Sequence, residues 1–533
     1  MRNTLILLLS GKVNIDLKPI LGNISNLRIP IANRLNSQLV IDRQLNHFDN
    51  IILTIDQEDL NFANIYKKKY EKVRIVESRK DYSVDLTLLK VFEEIKDNIG
   101  KNTMTILFGD CLLDIIPKVD CIINGYTPFL SEWAICSRND NDDLEISEIE
   151  CSNRDVVSGA FVLTNASLYI DIFLKLFEIR TKNTKKIIYK SLEEYDRSIK
   201  IGLVKSKSWL DLGHKKHYFH TKKSRINTSS RNQSTTQYNA NQNTVIKDSD
   251  PHKISDEIKW YENLPNEIME YVPKISNTSS NSYEINYIEG VTLAELWISN
   301  SDLLNIPKIY LKQLEIILNT FTKITKERET TEDFYNYRKY LFHDKLLERL
   351  DKIKSDLNFI DLNNLKINNK NMMPLNEYLA LLNSNLDLLR PPSEYLVLSH
   401  GDLFFGNILI DQNNKLRLID PKGFSFLYSD PLYDICKLSQ SIIADYDYIS
   451  ADIFGLTFGR NRVDFDLPNN LDSKYHEEFE SFLKSRLDVL KIDYKYLNLL
   501  TSSLLMSAIP FHSESNDRQL VMFSKALELV SNY

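Results

Sequence analysis

The stretch SHGDLFFGNILIDQNNKLRLIDPKG, residues 399–423, sets three oxygen-bearing side chains among runs of Leu and Ile. Asp402 is followed five positions on by Asn407, and thirteen positions after that by Asp420. Ile408, Leu409 and Ile410 read as one strand, DQNNK as a turn, and LRLI as a second strand that delivers Asp420 at its end. Transfer of a phosphoryl group to a hydroxyl needs a carboxylate to orient the acceptor and take its proton. It also needs oxygen ligands that hold Mg2+ against the nucleotide phosphates. Asp402 is the candidate base. Asn407 and Asp420 are the candidate metal ligands, hard oxygen donors of the kind Mg2+ takes. A polar turn with incidental acids would account for HGD alone; the whole pattern of H-G-D-x4-N, hairpin and I-D-P is far more specific.

Outward from that hairpin, TVIK (244–247) reads as a strand ending on Lys247, and KISDEIKWYE (253–262) as a helix bearing Glu257. A strand Lys that holds the nucleotide's α- and β-phosphates, itself held by a helix Glu, fits the same chemistry. A surface Lys and a surface Glu on an amphipathic helix are the plain alternative. A strand follows at 283–288, and after about Ser301 the pattern is strongly helical apart from the opening stretch. HGDLFFGN…LIDPKG resembles the aminoglycoside phosphotransferase and choline kinase family, over residues 228–533. The resemblance implies a two-lobed, protein-kinase-like α+β domain with a small lobe at 226–300 and a large helical lobe at 301–533. It implies ATP as donor, Mg2+ as cofactor and a small alcohol as acceptor. Within SDPLYDICKL (429–438), Asp434 takes the place of the family's Asp that fixes the catalytic loop, and YEINYIEG (283–290) resembles the hinge between lobes. No Gly-rich loop precedes Lys247, and the family's loop is often poor in Gly. Ser439 and Tyr446 to Tyr448 resemble kinase homologues of surface-polysaccharide gene clusters.

The first half follows another pattern. Apolar runs at 4–9, 50–54, 74–77, 104–108 and 120–124 alternate with helical segments such as 85–98. That alternation predicts a doubly wound, mostly parallel sheet over residues 1–225, with ligands outside the carboxyl ends of its strands. Asp110 in ILFGDCLLD would emerge at that edge, and a second acid, Asp211, follows in SWLDLGHKKHYFHTKKS. Together they could hold one Mg2+ against nucleotide phosphates; two unrelated strand-end acids are the alternative. The arrangement resembles the sugar-nucleotidyltransferase family over residues 1–220, with RIPIAN (28–33) and VVSGAFVLT (156–164) as further points of likeness. The resemblance implies a phosphate loop here carried by Gly11 and Lys12. The family's loop has more glycines, an Arg, and a Lys four residues before the Pro, where this chain has Asn26. Lys12, Lys18 or Arg28 substitutes, or the domain is a binding or structural remnant, or it transfers a different group. His214, His217 and His220 are spaced i, i+3, i+6, which does not put all three on one helix face, so KKHYFHTKK reads as a basic rim for a phosphorylated substrate.

The 533 residues exceed one core, and 43% apolar with 26% charged residues is ordinary for a soluble globular protein. A net charge of −7 argues against a nucleic-acid face, which needs clustered Lys and Arg. Five scattered cysteines without a CxxC pair fit reduced thiols in a cytoplasmic protein. The apolar run in MRNTLILLLSGK is too short for a bilayer and lacks a cleavage site, so no membrane insertion is expected. The polar tract 222–244 reads as the linker holding the domain boundary. The combined expectation is a bifunctional transferase. One half phosphorylates choline, ethanolamine, another amino alcohol, a polyol or a sugar. The other joins that phosphate to a nucleotide from a second nucleoside triphosphate, CTP first among them. The product would be an NDP-activated precursor for surface-glycan (capsular polysaccharide) decoration. The alternative is a small-molecule kinase with a non-catalytic first half.

Overall fold

The computed structural model describes residues 3–531 except 80, 181–185, 227–233, 306–307, 328–330, 389–394 and 469–473. The chain forms two compact units, Met1–Lys223 and Ser224–Tyr533.

The first unit is built on a seven-stranded sheet. Its spatial order is Gly202–Lys205, Cys121–Thr127, Arg154–Leu163, Met104–Phe108, Thr4–Leu8, Asn50–Ile55 and Val73–Glu77. All neighbours are parallel except Arg154–Leu163, which runs antiparallel to both strands beside it. Every residue of Thr4–Leu8 is buried, which is why it reads as an unbroken apolar run rather than an alternation. Leu8 pairs with both Phe108 and Thr54, so these three strands end level and their loops leave from one edge. Helix Val84–Ile99 starts on Ser83, whose side chain caps the Leu86 amide. It buries Leu88, Val91, Phe92, Ile95 and Ile99, at the spacing of one helix face. Phe92 meets Phe173 of a neighbouring helix edge-on at 5.0 Å. A hairpin, Ser131–Arg138 with Leu144–Cys151, is fastened by two bonds from Arg138 to the buried Asp196, at 3.0 and 2.9 Å.

The second unit opens with a four-stranded antiparallel sheet in the order Ser234–Asn239, Thr244–Ser249, Ser282–Asn286, Ile275–Ser276. Helix Pro251–Glu262, capped by Asp250, lies against it and sends the buried Trp260 indole to the Ser399 carbonyl at 2.9 Å. Helices then dominate. The Tyr494–Ala508 helix is buried from Leu497 to Ser507 apart from Asn498, against Pro431–Ile442 and Asn516–Leu529. The stretch expected to be strongly helical is interrupted, however, by more than the opening hairpin. Lys366–Ile367, Lys370–Asn371, Gly455–Gly459 and Arg462–Asp466 form one small sheet, and Thr325–Glu327, Tyr395–Leu398 and Tyr428–Ser429 another. These strands have two to five residues, too few for a two-residue period to stand out in the sequence.

The polar tract 222–244 is entered by helix Lys215–Ile226, contains strand Ser234–Asn239 and is left by strand Thr244–Ser249; its residues 227–233 lie outside the described residues. All five cysteines are free thiols. Among the described residues no helix is long and apolar enough to cross a membrane.

Candidate active sites

In the second unit the loop after Tyr395–Leu398 is fixed from behind. The Asp434 carboxylate accepts the His400 amide at 2.8 Å and the Gly401 amide at 2.9 Å. Gly401 has φ +76°, and a Cβ there would come within 2.5 Å of the Lys422 Cβ, so only glycine fits. His400 is fully buried, with Nε2 on the Ile419 carbonyl at 3.1 Å. Burial lowers its pKa and keeps the ring neutral. This frame presents Asp402 at the loop surface. Asn407 donates to the Asp402 carbonyl at 2.9 Å and to its carboxylate at 3.3 Å. Its amide N–H groups are thereby engaged, and its oxygen is left for a cation. The Ile408–Asp411 and Leu416–Leu418 strands pair antiparallel, and Asp420 follows them in the left-handed region, φ +58°.

Asp420 meets the small sheet. Lys247 Nζ donates to both Asp420 and Glu257, the latter at 2.9 Å. Glu257 also accepts from the Tyr283 hydroxyl at 2.7 Å, and Tyr283 is the cross-strand partner of Lys247. Lys247 and Glu257 are buried, while the Asp420 side chain is 44% exposed. Burial works against the Lys247 charge, but Asp420 and Glu257 outweigh it and raise its pKa. The structure thus gives two hydrogen-bonded groups, Asp402 with Asn407 and Lys247 with Glu257 and Asp420, and the Ile419 amide beside Asp420 donates to the Asn407 carbonyl at 3.0 Å. Asn407 and Asp420 offer hard oxygens of the kind that would suit Mg2+.

Sequence reasoning missed the cations around Asp402. Lys437 Nζ lies 3.0 Å from Asp402 Oδ1. Burial would raise the Asp402 pKa, but Lys437 and Lys422 hold it down at about 2. Lys437 stands one helical turn after Asp434, so the spacing D-x-x-K was a readable signal. Lys345, from a helix 57 residues before Asp402, carried none.

In the first unit Asp110 follows Phe108 and Gly109. A Cβ at Gly109 would come within 2.6 Å of the Leu8 carbonyl, so glycine lets the two loops lie together. Asp211 pairs with Cys111 across a two-residue bridge, and the Leu212 amide donates to the Asp110 carbonyl at 2.7 Å. Gly213 lies against both acids. An added Cβ would stand 2.6 Å from Asp110 Oδ2 and 3.3 Å from Asp211 Oδ1. Burial, then the Asp211 charge, push the Asp110 pKa up to about 6. Two crowded carboxylates of this kind fit a divalent cation. Among the described residues no cluster of three or more His, Cys, Asp or Glu is placed for a metal, so phosphate and water would supply the other ligands.

His214 Nδ1 bonds Asp211 Oδ2 at 2.8 Å. Burial opposes a charge on His214, but this bond outweighs it and raises the pKa. His217 also comes within 3.9 Å of Asp211 Oδ2, but it bonds Thr127 at 2.8 Å and packs in an aromatic cluster with Phe129, Trp133 and Trp209, while His220 is exposed. Two of the three histidines thus face Asp211 and the third does not. The expected basic rim is divided likewise. Lys216 is exposed, but Tyr218 and Phe219 of the same helix are buried.

The phosphate loop is tied to its neighbours. The Asn26 amide donates to the Gly11 carbonyl at 2.7 Å, and Lys12 pairs with Glu58 at 3.0 Å. Arg28 is buried against Asp59 at 2.8 Å, and Lys18 is half-exposed on the helix Lys18–Leu21.

No protein-family model and no curated protein matches the chain. Among solved structures it is similar to CTP:phosphocholine cytidylyltransferase from Streptococcus pneumoniae, with 15% identity and a TM-score of 0.35, over 42% of this chain and 98% of that one. It is also similar to UDP-glucose pyrophosphorylase from Acinetobacter baumannii, with 15% identity and a TM-score of 0.32, over 43% of this chain and 95% of that one.

Proposed function

We propose that the second unit is an ATP-dependent small-molecule kinase and that the first unit is a nucleotidyltransferase acting on its product. The observation that carries the kinase reading is the single ammonium of Lys247 held between Glu257 and Asp420. That arrangement supports a nucleotide whose phosphates lie between the small sheet and the hairpin. Mg2+ bound by Asn407 and Asp420 would supply neutralisation of phosphate charge. The chain's own residues do the rest. Lys247 holds phosphate oxygens, the Asp434-fixed loop keeps Asp402 in place, and Asp402, ionised well below neutral pH, orients the acceptor hydroxyl and takes its proton.

The nucleotidyltransferase reading is supported by Asp110 and Asp211 crowded against Gly213 at the edge where the central strands end. The test is pyrophosphate release from CTP, UTP, GTP or dTTP with a panel of phosphorylated alcohols. If no nucleotide is consumed and Asp110→Ala changes nothing, the first unit is not a nucleotidyltransferase. A second reading, a kinase with a non-catalytic first unit, is favoured by the engagement of Lys12 with Glu58 and of Arg28 with Asp59. It predicts ADP release without any pyrophosphate release. A place in surface-glycan decoration, and a cytoplasmic site of action, belong to the same proposal.

A further inference from the structure

The side chains gathered beside Asp402 are cations. Lys437 Nζ stands 3.0 Å from the Asp402 carboxylate and 6.0 Å from the centre of the Tyr433 ring. Lys345 Nζ approaches the same ring, 5.7 Å from its centre, and donates to the Tyr433 hydroxyl at 3.3 Å. It also lies 5.5 Å from the Phe426 ring centre, and the Phe426 Cβ backs onto Gly401 together with the solvent-exposed Lys422. Arg349, one turn beyond Lys345 on the Lys345–Asp356 helix, donates to the Ser507 carbonyl at 2.6 Å.

Lys345 is only 9% exposed, and among the described residues no carboxylate lies within ion-pair distance of it. A buried ammonium without an anion is costly, and a ligand that brings the anion removes that cost. The charges that bear on Lys345 are Lys422, Lys437, Arg349 and Asp402, whereas those on Lys247 are Asp420 and Glu257. Two groups of charges therefore flank the catalytic loop. In the first, Lys247 is matched by two carboxylates, Asp420 and Glu257, on the donor side; in the second, Lys345, Lys422 and Lys437 outnumber the one carboxylate that bears on Lys345, Asp402, on the acceptor side. A cationic acceptor would add like charge to the second group, and a neutral polyol would leave Lys345 uncompensated.

We propose, on the phosphotransferase reading above, that the acceptor is an anionic alcohol, a small molecule carrying a carboxylate or phosphate together with a free hydroxyl. Its anion is held by Lys345 and Lys437 beside Tyr433, and its hydroxyl faces Asp402. In the reaction the hydroxyl oxygen forms a bond to the γ-phosphorus of ATP, the β,γ-bridging P–O bond breaks, the hydroxyl proton passes to Asp402, and ADP leaves. Lys437, paired with Asp402 before binding, turns to the incoming anion and frees the carboxylate for that proton.

The test uses the full chain with ATP and Mg2+, and reads ADP release with glycerate and glycerol 3-phosphate, with glycerol and ribitol, and with choline and ethanolamine. In parallel, the same compounds are added without ATP and thermal melting is followed. The expected result is a kcat/KM for glycerate or glycerol 3-phosphate about ten-fold or more above that for glycerol. The same anions raise the melting temperature. Lys345→Met should raise KM for the anion about ten-fold or more and abolish the melting shift, with Lys345→Arg restoring part of both. Because Lys345→Met removes an uncompensated buried charge, the free variant should melt no lower than the parent. Turnover of choline or glycerol in preference to both anions overturns the inference and leaves the kinase standing. Anion-dependent stabilisation lost in Lys345→Met, with no ADP release from any compound, sinks the kinase reading and keeps the anion site. No stabilisation and no turnover by either anion overturns the inference.

Discussion

In the second unit each candidate acid has an ammonium against it: Lys437 for Asp402 and Lys247 for Asp420. In the first unit Asp110 and Asp211 crowd together at Gly213, and the positive group at hand is His214, 2.8 Å from Asp211. The same residue type, in a loop that follows a strand, is therefore held in two electrostatic states. Asp402 is ionised down to about pH 2, whereas Asp110 gives up its proton only near pH 6. One site carries its own counter-charges; in the other two acids crowd together, a repulsion that a divalent cation would relieve.

The largest expected effect tests the self-compensated site. Asp402→Ala should cut ADP release by roughly 10²–10⁴-fold, the usual worth of a general base. Near-normal turnover would remove Asp402 from the chemistry. The next tests the cation-dependent site. His214→Ala should weaken divalent-metal affinity about 10–100-fold, because it positions Asp211 without being a ligand itself. Titration with Mn2+ checks it, and unchanged affinity would reduce His214 to packing.

A smaller effect concerns pH. Burial, then Lys422, Lys437 and Arg349, depress the Lys345 pKa to about 7, against Asp402; the Tyr433 hydroxyl also faces it. The ammonium predominates below that value, so the affinity for an anionic alcohol should fall as pH rises through 7, by roughly ten-fold per unit at most. Lys345→Met should flatten the profile, and a parent profile that is already flat would remove Lys345 from the site. The smallest effect is on stability. The folded protein holds the Asp110 proton up to about pH 6, above the ordinary 3.8, so stability falls as pH rises through that window. In EDTA, Asp110→Asn should raise the melting temperature by roughly 2–4 °C above pH 6, with the gain gone below about pH 4. A gain that persists at acid pH would assign the effect to packing, and Mg2+ should shrink the gain.

What could be read in the sequence was local. The hairpin that carries Asn407 and Asp420 spans a few residues of strand, turn and strand, so its strand pairing was readable from spacing alone. The central strands of the first unit were visible because burial on both faces leaves an unbroken apolar run, as in Thr4–Leu8. Asp110 and Asp211 are a hundred residues apart, and only motif resemblance paired them; that His214 turns onto Asp211 depends on how helix Lys215–Ile226 begins. Lys345 was invisible, because a Lys in an amphipathic helix looks the same whether its ammonium meets water or Tyr433. The tie of Arg28 to Asp59 was equally hidden, since it joins two segments with no common pattern.

Asp256 is the sequence neighbour of Glu257 and faces the other way. Its carboxylate takes the Ser425 amide at 3.0 Å and the Ser425 hydroxyl at 2.7 Å, and it fills the space beside Gly423. Two adjacent acids on one helix thus grip two different segments, one through Lys247 in the sheet and the other in the loop just past Asp420. The helix acts as a splint. Sheet, helix and loop are tied as one piece, so a displacement of any one of them would have to carry the other two or break these bonds.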